Sequence, residues 1–227
     1  MKLVLLPGMD GTGRLFEQLL QSYSGEAQVI ALPERGDQSH VVMAEYICKK
    51  LLDEDVILLA ESYSGSIVPH LLNMSGCRIK AVVFVASFLS PPHKSLLALA
   101  QYAPIHWLSG LPFASLAHRA LFLGWSVAAS TLSEFVSVLR SVPEPILKQR
   151  LKELQNIELP CVEFEIPVAY VQATQDKLVL PHKAQEMAVV FKKISYYKIK
   201  APHFVLQVKP QESAQLIGTA IKAMQIP

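Results

Sequence analysis

Three short segments hold the residues best suited to chemistry: Ala60-Glu61-Ser62-Tyr63-Ser64-Gly65, then Asp176 within residues 173–179, then Ala201-Pro202-His203-Phe204. A serine hydroxyl becomes a useful nucleophile when a neighbouring base takes its proton. A histidine serves as that base when a carboxylate holds its ring in the tautomer that leaves one nitrogen free to accept. The chain order serine, acid, histidine is one of those in which such a relay is assembled around a strand-to-helix turn. The chemistry implied is acyl transfer through a serine-bound intermediate.

Competing residues are placed less well. Asp37, Asp53 and Asp55 do not follow a late strand, and His40, His70, His93, His106, His118 and His182 read as surface or helix positions. Acyl transfer also needs donors aimed at the oxygen of the tetrahedral intermediate. The backbone N–H of Tyr63, next to the nucleophile, and that of Met9, in the turn Pro7-Gly8-Met9-Asp10-Gly11-Thr12-Gly13, are the candidates. That turn lacks the Gly-Lys-Ser/Thr ending of a phosphate-binding loop and the spacing of a dinucleotide fingerprint. Asp10 is read as a brace of the loop and Thr12 as a helix cap.

The elements that must position these groups alternate along the chain. Apolar runs at 3–6, 28–32, 56–60, 81–86, 167–171 and 194–199 read as strands, and helical spacing appears at 14–20, 41–52, 64–74, 181–190 and 210–224. Strands with no polar alternation, separated by helices, indicate a mainly parallel sheet covered on both faces, with ligands at the carboxyl ends of its strands. Between 88 and 166 no such strand appears, and helical runs broken by proline and glycine suggest a helical cap over residues 89–165, inserted between core segments 1–88 and 166–227. Tyr102, Trp107, Phe113, Phe122, Trp125 and Phe135 give the cap apolar surface for packing or for lining a pocket.

Composition bounds the class. The chain has 227 residues, 51% hydrophobic and 18% charged, enough for a sizeable core. A net charge of +2, from 21 basic and 19 acidic residues spread along the chain, leaves no footprint of a nucleic-acid partner. No apolar run approaches the ~18 residues of a membrane span, and the first residues carry no evident cleavage site. Cys48, Cys77 and Cys161 are odd in number and lack metal-ligand spacing, so they are read as core fillers suited to a reducing cytoplasm rather than as a disulfide framework.

Taken together, the loop at 5–13, the turn at 60–65, the Asp176 segment and the His203 segment resemble the α/β-hydrolase family over nearly the whole chain. The resemblance implies a triad of Ser62, Asp176 and His203, an oxyanion hole at the Met9 and Tyr63 amides, and no metal or organic cofactor. Ala60 and Ser64 stand where the family has glycine, and Pro7 where many members have histidine. The core also begins directly at the loop-bearing strand, which implies six or seven strands. The chain is similar to small carboxylesterases and to methyl ester esterases acting on pimeloyl-acyl carrier protein, whose caps meet an acidic carrier with basic residues. Arg140, Lys148, Arg150 and Lys152 are the corresponding candidates for a carrier contact, although a solvated helix face also explains them. A small-molecule ester is the expected substrate, and a ligand-binding protein without turnover is the rival reading.

Overall fold

The computed structural model describes residues 1–51, 54–100, 102–104, 106, 111, 113–224 and 226. Six strands form one sheet: β1 Lys2–Leu6, β2 Ala27–Val29, β3 Val56–Glu61, β4 Ile79–Val85, β5 Phe164–Ala173 and β6 Phe191–Ile199. Their order is β2-β1-β3-β4-β5-β6, and every pairing among the described residues is parallel. All six residues of β3 are buried, which is why its sequence shows no polar alternation. The outer strands are less covered: β2 has no buried residue, and five of the nine residues of β6 are exposed.

Successive side chains of a strand point to opposite faces, and the core divides accordingly. Val4, Leu6, Leu58, Ala60, Val82 and Phe84 pack against helices His40–Lys50, Val68–Leu72 and His182–Val190. Leu3, Leu5, Ile57, Leu59, Val83 and Val85 pack against helices Glu17–Ser22 and Pro210–Ala223. Each such valine, leucine, isoleucine or phenylalanine side chain, removed from water, contributes roughly 1.5–3 kcal/mol before the entropy of ordering is counted.

Element boundaries shift where local chemistry competes. The ladder of β2 stops at Val29, because the chain beyond bonds to the turn after β1, with Leu32 N–H donating to Gly11 O at 2.7 Å. The helix expected at 64–74 is a 3-10 helix over Ser62–Ile67 followed by a short α-helix over Val68–Leu72, whose start is set by Pro69. β5 and β6 both begin about three residues earlier than their apolar runs suggest.

Between β4 and β5 lie helices Lys94–Ala100, Ala114–His118, Ala129–Ser141 and Glu144–Asn156, with a π-helical turn at Arg119–Leu123. Helix Glu144–Asn156 turns Ile146, Leu147, Arg150, Leu151 and Leu154 inward. Helix Ala129–Ser141 buries Phe135 and Val138 in a cluster with Leu15, Leu123 and Val127, against which Phe204 also packs. The insertion therefore packs on the loops that bear the chemistry.

The cysteine reading needs correction. Cys48, near the end of helix His40–Lys50, is disulfide-bonded to Cys77 in the segment before β4, with Cα atoms 5.6 Å apart. The helix lies beside that segment, a proximity that a separation of 29 residues conceals. Only Cys161 is free, and it is exposed. No described helix is long and apolar enough to cross a membrane.

Candidate active site

Ser62 is the first residue after β3, at φ 48, so the chain reverses sharply there and then enters the 3-10 helix. A left-handed conformation at a non-glycine residue costs on the order of 1–3 kcal/mol and persists when its surroundings over-determine it. Here Ser87, just past β4, places its hydroxyl 2.8 Å from Ala60 O and 3.1 Å from Ser62 O. The fully buried Ser64 donates its hydroxyl to Pro7 O, tying the turn to the end of β1. That bond accounts for serine in place of glycine at 64. The tight approach is at Gly65, where an added Cβ would stand 2.7 Å from Ser87 Cβ and Oγ.

The three distant residues meet. Ser62 Oγ lies 2.9 Å from His203 Nε2, and His203 Nδ1 lies 2.7 Å from Asp176 Oδ2. Asp176 follows β5, and its other oxygen accepts the N–H groups of Leu178 at 2.8 Å and Val179 at 3.0 Å, which fixes the carboxylate plane. His203 and the Asp176 side chain are almost wholly buried. Burial draws the imidazole pKa down, but the charge and hydrogen bond of Asp176, with Glu61 beyond, outweigh it and set the ring above its ordinary value.

Glu61 and Gln207 were not singled out from sequence. The side chain of Glu61, directly before the nucleophile, is buried and accepts a hydrogen bond from Gln207 Nε2 at 2.9 Å. Burial, reinforced by Asp10, pushes its carboxyl up to about 7, against the opposing pull of Gln207 and His203. An acid beside the serine, at the end of a strand buried along its whole length, was the available signal.

The loop after β1 comes close to the nucleophile, since a Cβ built on Gly8 would lie 3.8 Å from Ser62 Cβ and 3.7 Å from Glu61 Oε2. Met9 sits in this loop, its side chain packed between the core and Val142, Ile146 and Leu147 of the insertion. Tyr63 follows Ser62, and its buried ring places the hydroxyl 3.4 Å from Gln38 O. Asp10 braces the loop as expected, accepting Thr12 N–H at 2.9 Å and the Thr12 hydroxyl at 2.7 Å.

Arg150 is not a surface residue and is corrected as a carrier contact. Its guanidinium is fully buried, with Nη1 donating to Met9 O at 2.8 Å and Asp10 O at 2.9 Å, Nη2 to Pro33 O at 2.9 Å, and Nε to Gln38 Oε1 at 2.9 Å. It lies four residues from both Ile146 and Leu154, on the apolar stripe of its helix, and that spacing could have revealed it. Lys148 pairs with Glu144 at 2.9 Å, while Arg140 and Lys152 are exposed.

The aromatic residues expected to line a pocket separate. Tyr102, Phe113 and Trp125 are 80%, 75% and 64% exposed. Trp107 lies outside the described residues. Phe122 and Phe135 pack with His118 and with Phe204, the neighbour of the catalytic histidine. Among the described residues no group of three His, Cys, Asp or Glu side chains is arranged to hold a metal.

No family model matches the sequence, and no curated protein matches it. Solved structures do match. A hydrolase from Pseudomonas aeruginosa PA01 aligns with TM-score 0.82 at 13% identity, over 98% of this chain and 90% of its own. An esterase from Exiguobacterium antarcticum aligns with TM-score 0.82 at 13% identity, over 98% and 92%. An enol-lactonase from Burkholderia xenovorans LB400 gives 0.76 at 13%, over 97% and 91%. At such identities the likeness speaks to the fold, and the site stands on its own geometry. The chain has the α/β-hydrolase fold, with Ser62, His203 and Asp176 assembled as a serine-hydrolase triad beyond the carboxyl ends of its parallel strands.

Proposed function

We propose that the chain is a carboxylesterase-type serine hydrolase acting on small or medium acyl esters. The observation that carries this reading is the unbroken relay from Ser62 Oγ through both ring nitrogens of His203 to Asp176. His203 takes the serine proton as Oγ attacks the ester carbonyl, and the negative charge that collects on the carbonyl oxygen is met by the Met9 and Tyr63 amides. The protonated imidazole then releases the alcohol, and water repeats the sequence to free the acid. The ring remains between serine and carboxylate throughout, so one histidine serves as base and then as acid.

A carrier-borne substrate would need a basic docking face. With Arg150 buried, the candidate basic face loses a member, and a free small molecule is favoured.

The test is intact mass after exposure to a fluorophosphonate, alongside hydrolysis of p-nitrophenyl esters of increasing acyl length. A mass gain and Ser62-dependent turnover are expected, both absent in Ser62→Ala. Equal hydrolysis by the two proteins would refute the proposal.

A further inference from the structure

Burying a guanidinium without a carboxylate in direct contact is costly, and a leucine on the same stripe would pack at less expense. Arg150 nevertheless directs four hydrogen bonds, among the described residues, at uncharged acceptors, and those acceptors cluster around the loop that approaches the nucleophile. A single nitrogen, Nη1, holds the carbonyls of both Met9 and Asp10, which fixes the two peptide planes immediately after the Met9 N–H. Nε holds Gln38, whose backbone carbonyl lies against the Tyr63 hydroxyl. The loop is shaped to admit the cation: Gly11 has φ +72, and a Cβ there would stand 2.3 Å from Nη1. Met9 is held again through its side chain, by Val142, Ile146 and Leu147 of the same insertion.

We infer that Arg150 is a positioning residue by which helix Glu144–Asn156 of the insertion sets the aim of the oxyanion-hole amides. The inference rests on the serine-hydrolase reading of Ser62 and deepens it. It gives the insertion a part in transition-state stabilisation, because any displacement of this helix removes the hydrogen bonds that Arg150 gives to the Met9 and Asp10 carbonyls. A hydrogen bond to a developing oxyanion depends steeply on direction and distance, so a small reorientation of the Met9 peptide acts on kcat and leaves ground-state binding largely intact.

The experiment compares Arg150→Met, Arg150→Lys and Gly11→Ala with wild type, using p-nitrophenyl ester turnover normalised to the burst of p-nitrophenol so that only folded, acylating enzyme is counted. Lysine lacks the forked geometry, and Gly11→Ala displaces the guanidinium while leaving the arginine in the chain, so one of these carries the test if methionine prevents folding. Normalised kcat is expected to fall at least about tenfold with KM within about twofold. Affinity for a trifluoromethyl ketone, which Ser62 converts to an oxyanion, is expected to fall in parallel, while affinity for the matching secondary alcohol holds. Normalised kcat and ketone affinity close to wild type in the folded variants would overturn the inference, as would equal loss of ketone and alcohol binding, since either result leaves Arg150 with packing alone. Failure of the underlying reading shows separately, as ester turnover that survives Ser62→Ala.

Discussion

Replacing Asp176 by asparagine is expected to silence Ser62 by reversing a tautomer, with the fold left in place. Asp176 Oδ1 accepts two backbone N–H groups, from Leu178 and Val179, while Oδ2 faces His203 Nδ1. An asparagine at this position must turn its carbonyl oxygen toward the two donors, because an NH2 group there would oppose both. Its NH2 then points at Nδ1, which becomes an acceptor, and the ring proton moves to Nε2. Nε2–H faces the serine hydroxyl at 2.9 Å and can no longer take its proton. Loss of the correct tautomer in a relay of this kind costs about 10⁴-fold in kcat, or roughly 5 kcal/mol of barrier. Both backbone hydrogen bonds survive, at about 1 kcal/mol net each, so little stability is lost. The assay is kcat on a p-nitrophenyl ester at neutral pH, with ¹⁵N chemical shifts of the His203 ring reporting the tautomer and a melting curve reporting the fold. A folded Asp176→Asn protein within tenfold of wild-type kcat, or one whose Nε2 remains unprotonated, would refute this reasoning.

The base must be neutral to act, so kcat/KM is expected to rise with pH through a His203 pKa above its ordinary value; Glu61→Gln removes one of the charges holding that value up and is expected to move the inflection to lower pH, and an unmoved inflection would contradict the coupling. Because Glu61 is held protonated up to about 7 in the fold but ionises near 4.5 when exposed, its own contribution to stability is expected to be lost as pH rises from about 4.5 to 7, by on the order of 3 kcal/mol, while His40, drawn down to about 4 by burial, acts in the opposite sense over an overlapping range. Urea titrations of wild type and Glu61→Gln across that range isolate this contribution as the difference between their pH dependences, and parallel curves would refute it. Thiol titration in denaturant is expected to find one reactive cysteine before reduction and three after, and a Cys48→Ser, Cys77→Ser double variant to lose about 3–4 kcal/mol, the loop entropy for a separation of 29 residues. Gly65→Ala forces a methyl to 2.7 Å from Ser87 and is expected to cost about 1–3 kcal/mol of stability and to lower kcat by shifting the turn that carries Ser62, read by thermal melting and ester turnover.

The triad was legible in the sequence because each member follows a strand, and a parallel sheet gathers the carboxyl ends of its strands at one edge. Ser62 after β3, Asp176 after β5 and His203 after β6 needed only topology to meet. Ser64 was readable as a departure from glycine but not as a bond to Pro7, since that contact joins strands 57 residues apart. Arg150 was misread because Lys148, Arg150 and Lys152 look alike as a charged run, and only their phase against Ile146, Leu147, Leu151 and Leu154 separates the buried one from its neighbours. The cysteine pair failed for a related reason: parity of count says nothing about which helix lies beside which loop. The exposed aromatics of the insertion show the limit of composition as a guide, because an apolar side chain lines a cavity only where a facing element closes it.

The two margins of the sheet differ in a way that bears on behaviour at high concentration. β2 offers a ladder of three residues, too short to template another chain. β6 is nine residues long but carries Lys192, Lys193 and Lys198 at exposed positions, the first two reaching across to Glu163 and Glu165. A second strand docking there would have to seat itself beside lysines on both faces of β6, so lateral stacking into fibrils is discouraged on both flanks.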